Sequence, residues 1–254
     1  MQLGGLARAT LTAAMLANAA SASAARPFNT DDARIVEPGG YQIESYVKDQ
    51  RRKSESEFWF LPAHNFGGAL DRMEWTLGGN VIHSDRLSNS NLVVAQVKTL
   101  LKPLPENGIG FAVTVGVGRL KPGVGEDVPT QFGPADVPDG ASSSESRFNP
   151  FLNLISSVSL AGGQFVIHAN GGLTRETRED LTQRNWGFGA EIFGLARIYP
   201  IAEMYGISGE KPATQVGVRY WARPQRLQID GTYGWQSADP TQRRWVSVGL
   251  RVLW

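Results

Sequence analysis

The chain has 254 residues, a formal net charge of +1, 29 glycines, seven Trp, six Tyr, eleven Phe and no cysteine. The lack of cysteine excludes a disulfide framework and any thiolate site. A near-neutral charge without a basic patch excludes the electrostatic footprint of a nucleic-acid binder.

Residues 1–25 carry one charge, Arg8, then an alanine-rich apolar run over 11–20 and the small residues Ala22-Ser23-Ala24-Ala25. That is the three-part plan of a cleaved secretory signal peptide, and its apolar run is too short to span a bilayer. No acidic residue precedes Asp31, and no cysteine follows the cleavage point to take a lipid anchor. After the leader, no apolar stretch approaches the roughly 18 residues of a membrane helix. An exported chain of this kind is periplasmic, secreted or a barrel. The mean hydropathy of −0.23 suits a barrel as well as a soluble protein, because half of each barrel strand faces water.

From residue 40 onward the pattern is strand after strand, since alternate side chains of a strand point to opposite faces. Residues 40–48 alternate Tyr41, Ile43, Ser45 and Val47 against Gln42, Glu44, Tyr46 and Lys48. Residues 55–66 are aromatic-rich with ambiguous facing. Residues 72–82 set Met73, Trp75, Leu77 and Val81 against Glu74, Thr76 and Asn80, and 91–101 set Val93, Ala95 and Val97 against Gln96 and Lys98. The strand at 109–118 is the cleanest: Ile109, Phe111, Val113, Val115 and Val117 alternate with Gly or small residues. Residues 119–146, dense in Gly, Pro, Asp and Ser, read as one long loop. Strands follow at 147–159 (register open), 164–174, 185–193, 201–208, 215–221 and 227–235. The chain closes on 245–254, where Val246, Val248, Leu250, Val252 and Trp254 lie opposite Ser247, Gly249 and Arg251.

This predicts an all-β fold: a transmembrane antiparallel up-and-down β-barrel of about 12 strands, occupying residues 26–254. Connections alternate in character. Those at 49–54, 83–90, 119–146, 175–184, 209–214 and 236–244 include the longest and most charged. Those at 67–71, 102–108, 160–163, 194–200 and 222–226 are short and rich in Gly and Pro. Long outer loops and short periplasmic turns are the habit of outer-membrane barrels, which makes 119–146 a long extracellular loop and 26–39 a periplasmic N-terminal segment. Trp59, Trp75, Trp186, Tyr220, Tyr233, Trp235 and Trp254 fall near strand ends in several cases, as interface girdles do. A closing strand ending on an aromatic resembles the assembly signal of such barrels, here Val248, Leu250, Val252 and Trp254. The partners expected are the outer-membrane bilayer, the barrel-assembly machinery and a small-molecule solute, with no nucleic acid.

The segment Arg26-Pro27-Phe28-Asn29-Thr30-Asp31-Asp32-Ala33, followed by Glu37-Pro38-Gly39-Gly40-Tyr41-Gln42-Ile43-Glu44, resembles the opening of the MetA-pathway-of-phenol-degradation family. Val97-Lys98 to Leu101 and the glycine-spaced strand at 109–118 are also similar, whereas 58–66 departs from the pattern. The resemblance implies an outer-membrane barrel transporter for small, hydrophobic or aromatic compounds, and it supplies no catalytic residues.

Parity assigns Glu44, Glu74, Lys98, His168, Asn170, Glu191, Arg219, Asp230 and Arg251 to the barrel interior. Charged groups there need partners or water. They either pair across a side-chain-filled bore or line a wet channel with weak ion preference. Catalysis is not expected. An outer-membrane lipid-modifying enzyme pairs a His with a Ser two residues on. His64, His83 and His168 are instead followed at that spacing by Phe66, Asp85 and Asn170. Three scattered histidines do not make a metal site. The glycine patterns near 108–118 and 187–194 follow strand alternation with no helix after them, so no dinucleotide site and no cofactor are expected. The reading is a passive channel. A structural or adhesive barrel that displays loops is the alternative.

Overall fold

The structure is a computed structural model that describes residues 29–50, 55–84, 89–121, 127–130, 133–136, 147–177, 180–193, 197–236 and 244–254. The expected leader and most of the long 119–146 connection lie outside the described residues. The strands are β1 (Tyr41–Gln50), β2 (Glu55–His64), β3 (Met73–Ser84), β4 (Ser90–Lys102), β5 (Gly108–Lys121), β6 (Asp127–Thr130), β7 (Gly133–Asp136), β8 (Arg147–Leu160), β9 (Phe165–Glu176), β10 (Leu181–Ile192), β11 (Ile198–Ile207), β12 (Ala213–Arg223), β13 (Leu227–Gln236) and β14 (Arg244–Leu253).

Twelve of these close a barrel in which every strand pairs with its chain neighbour, and β1 meets β14. The pair β6–β7 forms a small separate hairpin within the long connection, and β5 joins β8 across it. All pairings are antiparallel, and the closing register sets Glu44 beside Arg251 and Val47 beside Val248. Closure leaves no open sheet edge, so the ladder hydrogen bonds of the wall run from each strand to the next all the way round. A strand structure needs that arrangement to cross hydrocarbon.

The faces are inverted relative to a soluble protein. Leu77 is 65% exposed and Val248 58%, while Arg251 and His168 are fully buried. Apolar side chains such as Phe58, Val93, Leu154, Ile167 and Phe188 stand outside, toward lipid. At the end where Tyr41 and Trp254 exchange backbone hydrogen bonds, an aromatic row runs along the rim. Tyr41 stacks on Trp254 and on His64, and Phe66 meets His64 and Trp75 edge-on. This rim is called the near end, and the opposite rim the far end.

Two facings that the sequence left open are resolved. On β2, Glu55, Glu57, Trp59, Leu61 and Ala63 point inward, and Phe58 and Phe60 point outward. Trp59 is therefore not a girdle residue. It is 2% exposed, donates its indole N–H to Glu57 at 3.0 Å and stacks on Tyr46. On β8, Asn149, Phe151, Ile155, Ser157 and Ser159 face inward. Trp59, Leu61, Ile82, Leu92, Val94, Leu120 and Phe151 then fill one side of the bore with an apolar cluster. Each such burial contributes about 1.5–3 kcal/mol. The opposite side stays polar.

Candidate functional site: the occupied lumen

The polar half of the bore is built around the chain's own N-terminal segment. At the near end the chain turns through Glu37–Gly40: Gly40 N–H donates to Glu37 C=O at 2.8 Å, and Gly39 N–H to Asn65 C=O at 2.8 Å. Gly39 has φ of +79°, a conformation that costs glycine nothing and other residues a clash. The turn folds residues 29–36 back into the barrel, where Thr30, Asp32, Ala33 and Val36 are buried. Of the segment 26–39, expected on the periplasmic side before the barrel, residues 29–36 thus lie inside it, and 37–39 form the exposed turn at the rim.

A segment without secondary structure carries backbone N–H groups that must be satisfied when buried. Inward side chains from four strands do this. Glu203 on β11 accepts from Asn29 N–H and Thr30 N–H, at 2.9 and 2.7 Å. Asn170 on β9 accepts from Asp31 N–H at 2.5 Å and donates back to Asp31 C=O at 2.9 Å. Ser157 on β8 accepts from Ala33 N–H, and Glu74 on β3 from Val36 N–H, both at 2.8 Å. Asn65 donates to Val36 C=O at 2.9 Å.

Charge pairing reinforces these contacts. Lys98 on β4 reaches Asp31 at 2.7 Å and Asp32 at 3.3 Å. Arg34 lies 3.5 Å from Asp32 and 3.8 Å from Glu191, with its guanidinium over the Phe193 ring. Asp32 sits in the N-terminal segment rather than in a strand. Burial raises its carboxyl pKa, but Lys98 and Arg34 outweigh that and hold it below the usual range.

Beneath the segment, a second layer crosses the near half of the bore. Arg219 on β12 pairs with Glu191 and, at 3.3 Å, with Asp230. Gln228 donates to Asp230 at 2.8 Å. Arg251 on β14 lies 3.4 Å from Glu44 and donates to Gln42 at 3.1 Å. The nine interior positions named from parity all point into the bore. The structure brings them together in two connected sets. Glu74, Lys98 and Asn170 hold the segment, while Glu44, Glu191, Arg219, Asp230 and Arg251 cross-link the wall.

His168 joins the two sets. Its Nδ1 is 2.8 Å from Ser157 Oγ and its Nε2 is 3.5 Å from Glu191, an ion-pair distance. The order hydroxyl, imidazole, carboxylate is that of a hydrolase triad, but Ser157 is buried and its oxygen already accepts the Ala33 N–H. This row fixes the segment rather than meeting a substrate. Among the described residues, no group of three His, Asp or Glu is placed to hold a metal ion.

Strand parity did not single out Glu203, Ser157 or Asn65, and nothing in the sequence placed Asp31 and Asp32 inside the bore. Gly187 on β10 is equally telling: a Cβ there would stand 2.8 Å from the Thr30 hydroxyl. Glycine at that inward position gives the segment its room.

Beyond the segment, toward the far end, the bore opens into a cavity that is continuous with solvent. Asn29 and Asp31 form its floor, and its wall includes Gln96, Thr114, Asn153, Asn185, Tyr205 and Trp245.

Among solved structures, the chain is similar to an outer membrane channel from Pseudomonas putida F1 of the COG4313 group. That likeness has a TM-score of 0.59 at 10% identity and covers 88% of this chain and 98% of that one. It is also similar to the KdgM porin, with a TM-score of 0.53 at 12% identity, covering 83% and 98%. A second KdgM structure, in complex with disordered oligogalacturonate, matches at 0.52 and 13% identity. Likeness at such identity shows a shared fold, the outer-membrane type of barrel. No family model matches the chain, and no curated protein matches it in sequence.

Proposed function

We propose that this protein is an integral outer-membrane barrel, exported by its N-terminal leader, that acts as a passive channel for small solutes and is closed at rest by residues 29–36. The observation that carries this reading is the acceptance of the segment's backbone N–H groups by Glu203, Asn170, Ser157 and Glu74. A wall evolved only for rigidity has no use for four strands aimed at one irregular peptide. In this reading the near end is periplasmic, the 119–146 connection is extracellular, and the outward Val248 and Leu250 with terminal Trp254 serve recognition by the assembly machinery. Passage is down a gradient. The nine parity positions line the path that opens when the segment moves. Hydrophobic or aromatic solutes, which the family resemblance implies, would meet amides as well as rings on their way in.

Planar-bilayer recording of the folded protein tests the channel role. Rare, brief current steps are expected from the unaltered chain. In Glu203→Gln, the charge is lost and one of the two oxygens that accept from the segment becomes an NH2 donor, and opening frequency rises about tenfold. A folded barrel with no steps in either form contradicts the channel and favours a structural or adhesive barrel.

A further inference from the structure

From the chemistry of its wall, we infer that the far-end cavity is a binding site for a neutral, polyhydroxylated ring compound of the sugar class; the inference rests on the channel reading above and names its solute. Three features converge. The first is a pair of unmet polar atoms. The Thr114 hydroxyl, on a residue 3% exposed, and the Asn185 carbonyl oxygen have no hydrogen-bond partner among the described residues. Both residues line the cavity, and a buried polar atom without a partner is costly. Both atoms are covered in the closed state, so a hydroxyl group that displaces their cover can donate to Asn185 and either donate to or accept from Thr114.

The second feature is the company these atoms keep. The side-chain amides of Gln96 and Asn153 and the rings of Tyr205 and Trp245 face the same space. Amides offer a donor and an acceptor to the edge of a hydroxylated ring, and the aromatic faces offer apolar area to its C–H face. An aliphatic or purely aromatic solute would use the rings and leave the polar atoms unmet.

The third feature is charge. Lys48, which faces the cavity, is 3.0 Å from Glu57 and lies over the Trp245 ring. Asp31 on the floor is paired to Lys98. Glu210 and Lys211 also border the cavity, so its charged residues, two of each sign, sum to zero and an acidic sugar meets no net positive charge there.

Saturation-transfer NMR on the full detergent-folded chain, with empty micelles as blank, tests the site against cellobiose, galacturonate and benzyl alcohol. Transfer to the cellobiose ring protons is expected, and the isosteric Thr114→Val weakens binding about fivefold. That variant removes a hydroxyl that has no partner among the described residues, so folding is preserved. Asn185→Leu gives an independent loss of similar size. Cellobiose binding indifferent to both variants, or transfer only to galacturonate or benzyl alcohol, overturns the proposal. Current steps in the same preparation with no transfer to any probe overturn it while leaving the channel intact. Cellobiose binding that responds to both variants, without current steps, supports the site and removes the channel reading instead.

Discussion

Deleting residues 29–36 is expected to turn a mostly closed barrel into a steadily conducting one. The segment is held by backbone hydrogen bonds to Glu203, Asn170, Ser157 and Glu74 and by ion pairs from Lys98. Hydrogen bonds to charged groups contribute about 1.5–3 kcal/mol each. Two such bonds in full are enough to hold an open state at about one per cent, since shifting a two-state equilibrium from 1:99 to 99:1 takes about 5.5 kcal/mol. The open probability in single-channel records therefore rises about a hundredfold. The barrel still folds, because the wall's hydrogen bonds run between strands and not through the segment. Retained heat-modifiable gel mobility checks this. An unchanged open probability in a folded deletion variant means that the segment does not close the path.

The second large effect concerns the wall. Arg219→Leu leaves Glu191 and Asp230, both about 1% exposed, without the guanidinium that faces them. Breaking a buried pair by removing one partner costs about 3–5 kcal/mol, because the remaining charge stays desolvated. Urea unfolding in lipid vesicles should show a loss of that size for Arg219→Leu. Adding Glu191→Gln recovers part of it, as coupled sites do not add. A loss under about 1 kcal/mol indicates that water already screens the cluster, which makes the near half of the bore a wet passage rather than a dry network.

Much of the wall was legible because a strand that faces lipid on one side and a polar bore on the other must alternate. Ile109 to Val117 and Val246 to Val252 do so without interruption, and the twelve strands fall where that alternation lies. The facing of β2 was hidden because its inward set mixes Trp59 and Leu61 with Glu55 and Glu57, while Phe58 and Phe60 occupy the other parity. Alternation in polarity fails when part of the bore is itself apolar, as it is beside Ile82, Leu92 and Phe151. The occupied lumen was hidden for a different reason. Parity says that Glu74, Lys98 and Asn170 point inward, but their partners lie up to 139 residues away in an irregular peptide without periodicity. The available hint was the run Thr30-Asp31-Asp32 just ahead of the first strand, acidic residues with no strand to carry them and a lysine of the right sign inside the barrel.

The central claim, that residues 29–36 sit inside the bore and close it, is tested most directly by cross-linking. The chain has no cysteine, so the pair Ala33→Cys and Ser157→Cys, placed where the Ala33 N–H meets the Ser157 hydroxyl at 2.8 Å, supplies the only two thiols. Oxidation of the folded protein is expected to give an intramolecular disulfide and to abolish current steps, and reduction to restore them. Failure to cross-link, with position 33 open to maleimide labelling in the folded barrel, contradicts the account.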